Sequence, residues 1–166
     1  MSLSEEALEA AYRRLEKPLY NYLFRWFWNP VECEDLIHDA FERLWKRRRK
    51  VREDGMDALV WTTVINLARN RYRRAGRWSW LPLSPTLSSE QDPHQSARLD
   101  EREQQLKDAL AQLSMNDREV ILLDVFAGVG RAELANMLNI PIGTLASRKH
   151  AAIARLRRLL ESANET

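Results

Sequence analysis

The sequence predicts an all-α fold: two small helical domains joined by a flexible linker, the C-terminal one containing a helix-turn-helix. Three observations carry this. Apolar residues recur at three- and four-residue spacing through residues 8–68 and again from Leu106 onward, the period of helices with one buried face. Between these tracts the period fails, and three prolines (82, 85, 93) and five serines (79, 84, 88, 89, 96) appear, the composition of a linker. Finally, Gly128–His150 reads as helix, break and helix. The expected segments are 1–77, 78–105 and 106–166.

At 166 residues and 45% hydrophobic content the chain can bury a core in each domain. No apolar run approaches the ~18 residues of a membrane span, so no membrane insertion is expected. The start, Met-Ser-Leu-Ser-Glu-Glu, lacks the basic-then-apolar order of a secretion signal. The cytoplasm is the expected compartment. A single cysteine, Cys33, cannot form an internal disulfide. The net charge of +2 hides segregation: residues 1–77 hold 16 basic and 12 acidic side chains, 78–105 hold 2 and 5, and 106–166 hold 8 and 7. Basic character therefore sits in patches.

In order, Ser2 with Glu5 predicts a capping box, then an amphipathic helix through Leu8, Ala11, Tyr12, Leu15 and Leu19. Pro18 is expected to kink or end it. A second, buried helix is predicted over the aromatic stretch Leu19–Trp28, broken by Asn29-Pro30. A third follows from Val31 to Arg49, with Ile37, Ala40, Phe41, Leu44 and Trp45 inward. Its first half is acidic (Glu34, Asp35, Asp39, Glu42), as the helix dipole favours, and its end is basic through Lys46–Lys50. Residues 51–57 read as a loop. A fourth helix, Asp57 to Arg74, turns Leu59, Val60, Thr63, Val64, Leu67 and Ala68 to the core and stops at Gly76. Trp78 and Trp80 are expected to dock on this first domain, and a helix is expected to start near His94.

In the second domain, Leu106, Leu110 and Leu113 open the helical pattern, and Asn116-Asp117 begins a helix carrying Val120, Ile121, Leu123 and Val125. The first helix of the helix-turn-helix is predicted over Arg131 to Leu138, with Ala135 short enough for a second helix to cross it. Asn139 tolerates a left-handed turn, Ile140 plugs the angle between the helices, and Pro141 cannot continue the first. Gly143 or Thr144 is predicted to cap the second, whose apolar stripe is Leu145, Ala152, Ile153, Leu156, Leu159 and Leu160. Opposite lie Ser147, His150, Arg157 and Arg158, flanked by Arg148 and Arg155. From Thr144 to Leu160 there are five cations and no acid. Such a helix can enter the major groove, its short polar side chains on base edges and its arginines on phosphates.

The two tracts together resemble a group IV sigma factor of bacterial RNA polymerase, the extracytoplasmic function (ECF) type of the sigma-70 family, over nearly the whole chain. Leu113-Ser-Met-Asn-Asp-Arg-Glu-Val-Ile-Leu-Leu is similar to the family's L-P-x-x-x-R-E-V-h-x-L. Gly128 to His150 is similar to E-I-A-x-x-L-G-I-P-x-G-T-V-x-S-R-x-H. Glu32-Cys-Glu-Asp-Leu-Ile-His-Asp-Ala-Phe-Glu-Arg-Leu-Trp resembles the acidic motif of region 2.2, and Asn66-Leu-Ala-Arg-Asn70 the N-x-x-x-D/N spacing of regions 2.3 and 2.4.

The resemblance implies a non-enzymatic protein without cofactor that binds core RNA polymerase and directs promoter recognition, melting and transcription initiation. Its implied partners are the β′ clamp helices and β flap of polymerase, the −10 and −35 promoter elements, and an anti-sigma factor. Glu34, Asp35, His38, Asp39, Glu42 and Arg43 would meet the clamp. Trp61, Asn66, Arg69, Asn70, Tyr72, Arg73 and Arg74 would hold the −10 element, with Asp54, Gly55 and Met56 of the 51–57 loop capturing a flipped base. Arg131, Thr144, Ala146, Ser147, Arg148, Lys149, His150, Ala151 and Arg155 would meet the −35 element. Some positions depart from the family: Ala146 and Ala151 stand where basic or polar residues are frequent, and Lys149 where leucine is. The Lys149 stem is expected along the core edge with its ammonium reaching phosphate. Gly130 replaces a Ser or Thr cap, which weakens that helix end by a few tenths of a kcal/mol.

Other readings compete. Cys33 and His38 are too few ligands for a metal site, and no βα architecture builds an enzyme pocket around His38-Asp39. A helical adaptor binding only protein has no need of the arginine-lined helix. A conventional helix-turn-helix regulator, acting without replacing the sigma subunit, has no need of an acidic helix followed by a basic, aromatic one.

Overall fold

Ser4, not Ser2, starts the first helix. Its hydroxyl accepts from the Ala7 amide at 3.2 Å, and α1 then runs unbroken over Glu5–Phe27. A computed structural model describes residues 2–78 and 99–165, the side chains of 76–78 excepted. Two units divide the chain, Met1–Ala97 and Arg98–Thr166. The expectations for the Trp78 side chain, Trp80, the linker prolines and serines and a helix near His94 lie outside what is described.

The two expected N-terminal helices are one, because Pro18 lies inside α1 without ending it. An interior proline costs about 3 kcal/mol. Burial of Ala11, Leu15, Leu19, Tyr22, Leu23 and Trp26 on the same helix outweighs this, at ~1.5–3 kcal/mol for each large apolar side chain. α1 ends where Trp28 turns left-handed (φ 54) and donates its amide to the Phe24 carbonyl at 2.7 Å. Arg25 lies over the Trp28 ring at 4.9 Å.

α2 spans Pro30–Lys46, capped by the Asn29 side chain, which accepts from the Val31 and Glu32 amides. It is three residues shorter than expected at its basic end, where Lys50 closes a turn onto the Arg47 carbonyl. α3 spans Met56–Trp78 and passes through Gly76. α1 packs on α2 and α3, and α2 on α3, around Tyr22, Leu23, Leu36, Ile37, Val60 and Val64. The start of α1 also grips the α2–α3 loop. Leu3 donates its amide to the Arg48 carbonyl at 2.9 Å, and the Ser4 hydroxyl donates to Glu53 at 3.0 Å. Arg14 donates twice to Asp57, which raises its pKa further above the ordinary guanidinium value.

In the second unit α4 covers Glu101–Ala111 and begins with a capping box between Asp100 and Glu103, so residues 101–105 of the expected linker are helical. α5 covers Met115–Ile121 and is capped by Ser114 rather than begun at Asn116-Asp117. It continues into a π-helical turn at Leu122–Phe126, where the Ala127 amide reaches back to Leu122. α6, Arg131–Leu138, starts at Gly130 with no side-chain cap and ends on left-handed Asn139 (φ 54), both as expected. α7 then runs over Ile142–Asn164 from Pro141. Gly143 and Thr144 lie in its first turn rather than capping it, because proline's fixed φ already suits a helix start. α4, α5 and α6 all pack on α7, around Leu110, Leu122, Leu134, Leu145 and Ala152. Among the described residues no strand forms, and no helix is long and apolar enough to cross a membrane.

Candidate nucleic-acid interface

The helical period decides which polar residues of α3 reach solvent. Val60, Trp61, Val64, Ile65 and Ala68 form a wide buried arc, so Asn66, Asn70 and Arg73, at i, i+4 and i+7, fall on the open side and are exposed. Arg74 is exposed beside them and Arg69 is half-buried. Two expected base contacts lie inward instead. Trp61 is 3% exposed, with its ring edge-on to Tyr22 at 6.0 Å. Tyr72 is half-buried against Trp26 at 4.9 Å. Both belong to the aromatic packing of the unit, where ring pairs of this kind are favourable.

The 51–57 loop also differs from expectation. Met56 is 4% exposed and opens α3 from within the core, so it offers no wall to a ligand. Asp54 is exposed and paired to Arg52 at 3.1 Å. Gly55 adopts φ +94 with open space where a side chain would stand. The concavity lies next to this loop. Arg43 and Leu44 of α2, Arg47 and Val51 of the loop that follows it, and Leu59, Thr63, Asn66, Leu67 and Asn70 of α3 line a groove of about 250 Å³. Its lining combines the apolar side chains of Leu44, Val51, Leu59 and Leu67 with the amides of Asn66 and Asn70, one helical turn apart on α3, and the guanidiniums of Arg43 and Arg47. Leu59, Thr63 and Leu67 were expected toward the core; Leu59 is exposed and the other two half-buried, and all three line the groove instead. The spacing 59, 63, 66, 67, 70 along α3 carries the signal, because it defines a second stripe beside the buried one.

On α2, Glu34, Asp35, His38, Glu42 and Arg43 are exposed and Asp39 is half-exposed, all away from Leu36, Ile37, Ala40 and Leu44. Arg43 pairs with Asp39 at 2.9 Å and Lys46 with Glu42 at 2.8 Å, so Glu34 and Asp35 at the N-terminal end hold the open negative charge. Cys33 is fully buried, which pushes its thiol up to about 12, with Glu32 and Glu34 adding to the shift. It lies in the core while His38 is exposed, so the two do not converge. Arg71 is tied to Glu32 across α2 and α3.

In the helix-turn-helix, Thr144, Ser147, His150, Ala151, Arg155, Arg157 and Arg158 are exposed along one side of α7, and Arg131 is exposed on α6. Ala146, Arg148 and Lys149 are half-buried. Lys149 does not point at open solvent: its ammonium pairs with Asp124 at 2.8 Å.

Fold and surfaces thus define a two-unit helical protein with an exposed cationic helix face in one unit and a groove carrying two amides in the other. Comparison with known proteins names the class. Sigma-70 region 2 matches residues 11–77, and Sigma-70, region 4 matches residues 103–156. The ECF RNA polymerase sigma factor SigL of Mycobacterium tuberculosis is 30% identical, over 96% of this chain and 92% of its own. The RNA polymerase sigma-E factor of Streptomyces antibioticus is 30% identical over 81% of this chain and 73% of its own. The fold resembles that of CnrH, solved with the cytosolic domain of CnrY (TM-score 0.70, 21% identity, 96% and 90% of the two chains). It also resembles the sigma factor RpoE of Bartonella quintana, solved with the anti-sigma factor NepR (TM-score 0.65, 23% identity, 92% and 96%). The chain belongs to the ECF RNA polymerase sigma factors of the sigma-70 family, and it functions as an alternative sigma factor. The region 2 match sets aside the conventional regulator, which needs no such unit.

Proposed function

We propose that the chain divides promoter recognition between its units: the N-terminal one, through α3, binds core polymerase and the −10 element, and the C-terminal one, from α4 onward, binds the −35 element. The observation that carries this is the groove beside Asn66 and Asn70. Unstacking a base costs a few kcal/mol, which a protein recovers by stacking and by hydrogen bonds to the base's exposed edge. An asparagine amide can donate and accept at once, the pattern an adenine edge presents. Leu44, Val51, Leu59 and Leu67 supply an apolar lining, and Arg43 and Arg47 supply charge for the backbone on either side. The capturing residues are therefore Asn66 and Asn70, with the Asp54–Gly55 turn as the groove's neighbour.

The acidic end of α2, Glu34 and Asp35 with Asp39, would meet the basic β′ clamp helices of core polymerase, with the β flap as a further contact. The exposed side of α7 would lie in the major groove at −35, Ser147 and His150 over bases and Arg155 and Arg158 on phosphates. The protein acts by binding alone, without covalent chemistry or cofactor, in the cytoplasm where polymerase works. An anti-sigma factor completes the set of partners, in line with the complex formed by the Bartonella quintana relative.

Transcription from the four single-base variants at each −10 position, with wild type and Asn70→Ala, tests the groove. The expected result is a changed base preference at one position, with a loss there of roughly 5- to 150-fold for an amide–base pair of ~1–3 kcal/mol. Identical preferences at every position would remove the groove from the mechanism.

A further inference from the structure

Five cations lie on α7 between Thr144 and Leu160, but they are not equivalent. Arg155, Arg157 and Arg158 are exposed. Lys149 is not: its Nζ sits 2.8 Å from Oδ2 of Asp124, and the two side chains are only 31% and 19% exposed. The ion pairs on α2 are far more open, at 58% and 38% for Arg43–Asp39 and 71% and 62% for Lys46–Glu42. Water and salt therefore screen the Asp124–Lys149 pair less than those. Asp124 also comes from an unusual place, the π-helical turn at Leu122–Phe126. One extra residue per turn shifts the angular position of each side chain within it, so the direction of Asp124 depends on that turn.

Resting on the reading of α7 as the DNA helix, we propose that Asp124 is a positioning residue for −35 recognition. It holds the Lys149 ammonium on the body of the unit and removes it from the cations that reach phosphate. Four cations of α7, not five, then face the duplex, and the same pair fixes α7 to the turn that precedes the helix-turn-helix. Sequence alone assigns Lys149 to phosphate; the geometry assigns it to Asp124.

Salt dependence separates the two, because each phosphate contact adds ~0.9 to the slope of log affinity against log salt. The probe is a short mixed-sequence B-form duplex, since phosphate contacts are independent of sequence, and the protein is the full chain. Lys149→Met, which keeps an apolar stem without charge, should leave the slope at the wild-type value. Asp124→Asn should release the ammonium and steepen the slope by ~0.9, an extra ~3.5-fold loss of affinity over a fourfold rise in salt. A shallower slope for Lys149→Met, or an unchanged one for Asp124→Asn, would overturn the proposal. Melting decides the latch independently of DNA. Each single variant should lower Tm, and the double variant should lower it no further than the larger single; additive losses would overturn it. Absence of salt-dependent binding by the wild type would instead reject the reading of α7, leaving the melting cycle to judge the pair.

Discussion

In the N-terminal unit two exposed amides of α3, Asn66 and Asn70, line a depression, whereas in the C-terminal unit the polar residues of α7 lie on an open helix face. Both helices are built the same way, with an apolar arc packed on neighbouring helices and a polar remainder. The difference lies in what stands beside them. Arg43 and Leu44 of α2 and Arg47 and Val51 after it stand beside α3, so that Asn66 and Asn70 line an open groove of about 250 Å³. Nothing among the described residues of its own unit rises over the exposed side of α7, which keeps Ser147, His150, Arg155 and Arg158 open. A groove admits one unstacked base but not a duplex, and an open helix face fits the major groove of a duplex but cannot enclose a single base. On the proposed division, the contrast in partners would come from shape as much as from charge.

The largest expected effect tests the other charged surface of the N-terminal unit. Asp35→Lys with Asp39→Lys, both away from the core of α2, should abolish binding to core polymerase while circular dichroism and duplex binding by α7 stay at wild-type values. Native-like polymerase affinity in a pull-down would remove α2 from the interface. Next in size, Trp61→Ala should cost about 3–5 kcal/mol, the range for emptying a buried aromatic site. That loss should appear as melting of the N-terminal unit while the −35 duplex affinity of the C-terminal unit persists. A Trp61→Ala protein that melted normally but changed its −10 base preference would return this residue to the interface.

The smallest effect separates the units by pH. Cys33 is fully buried and its thiol is pushed from the ordinary value of 9.0 up to about 12. The folded chain therefore keeps a proton that the unfolded chain loses above ~9, so this contribution to stability is complete below ~9 and falls as pH rises towards 12. Cys33→Ala should reduce the alkaline loss of stability of the N-terminal unit. Because the thiolate is the nucleophile, Cys33 of the native chain should resist alkylation at pH 8 and react once unfolded. Fast alkylation of the native chain would contradict the burial.

The helices themselves were legible from spacing, and Asn29-Pro30 and Asn139 marked two of their ends through local chemistry. Pro18 misled because a local rule was read without the tertiary burial that overrides it, and Ser2 because Ser4 offered an equivalent cap two residues on. Trp61 and Tyr72 were placed at the −10 element by the family resemblance, although the buried arc of Val60, Val64 and Ala68 is wide enough to include Trp61. The groove was missed because its two walls come from different helices. The Asp124–Lys149 pair was out of reach, since its members are distant in sequence and one sits in a π-helical turn that no pattern in the sequence announces.

The division of labour is tested most directly by crossing two variants with two probes in complex with core polymerase. Asn66→Ala with Asn70→Ala should lose binding to single-stranded non-template −10 DNA and keep the −35 duplex. Arg155→Ala with Arg158→Ala should keep the single strand and weaken the duplex, lowering its salt slope by ~0.9 for each contact removed. Both variants losing both probes to the same degree would contradict the account, because one shared surface would then be doing what is here divided between two.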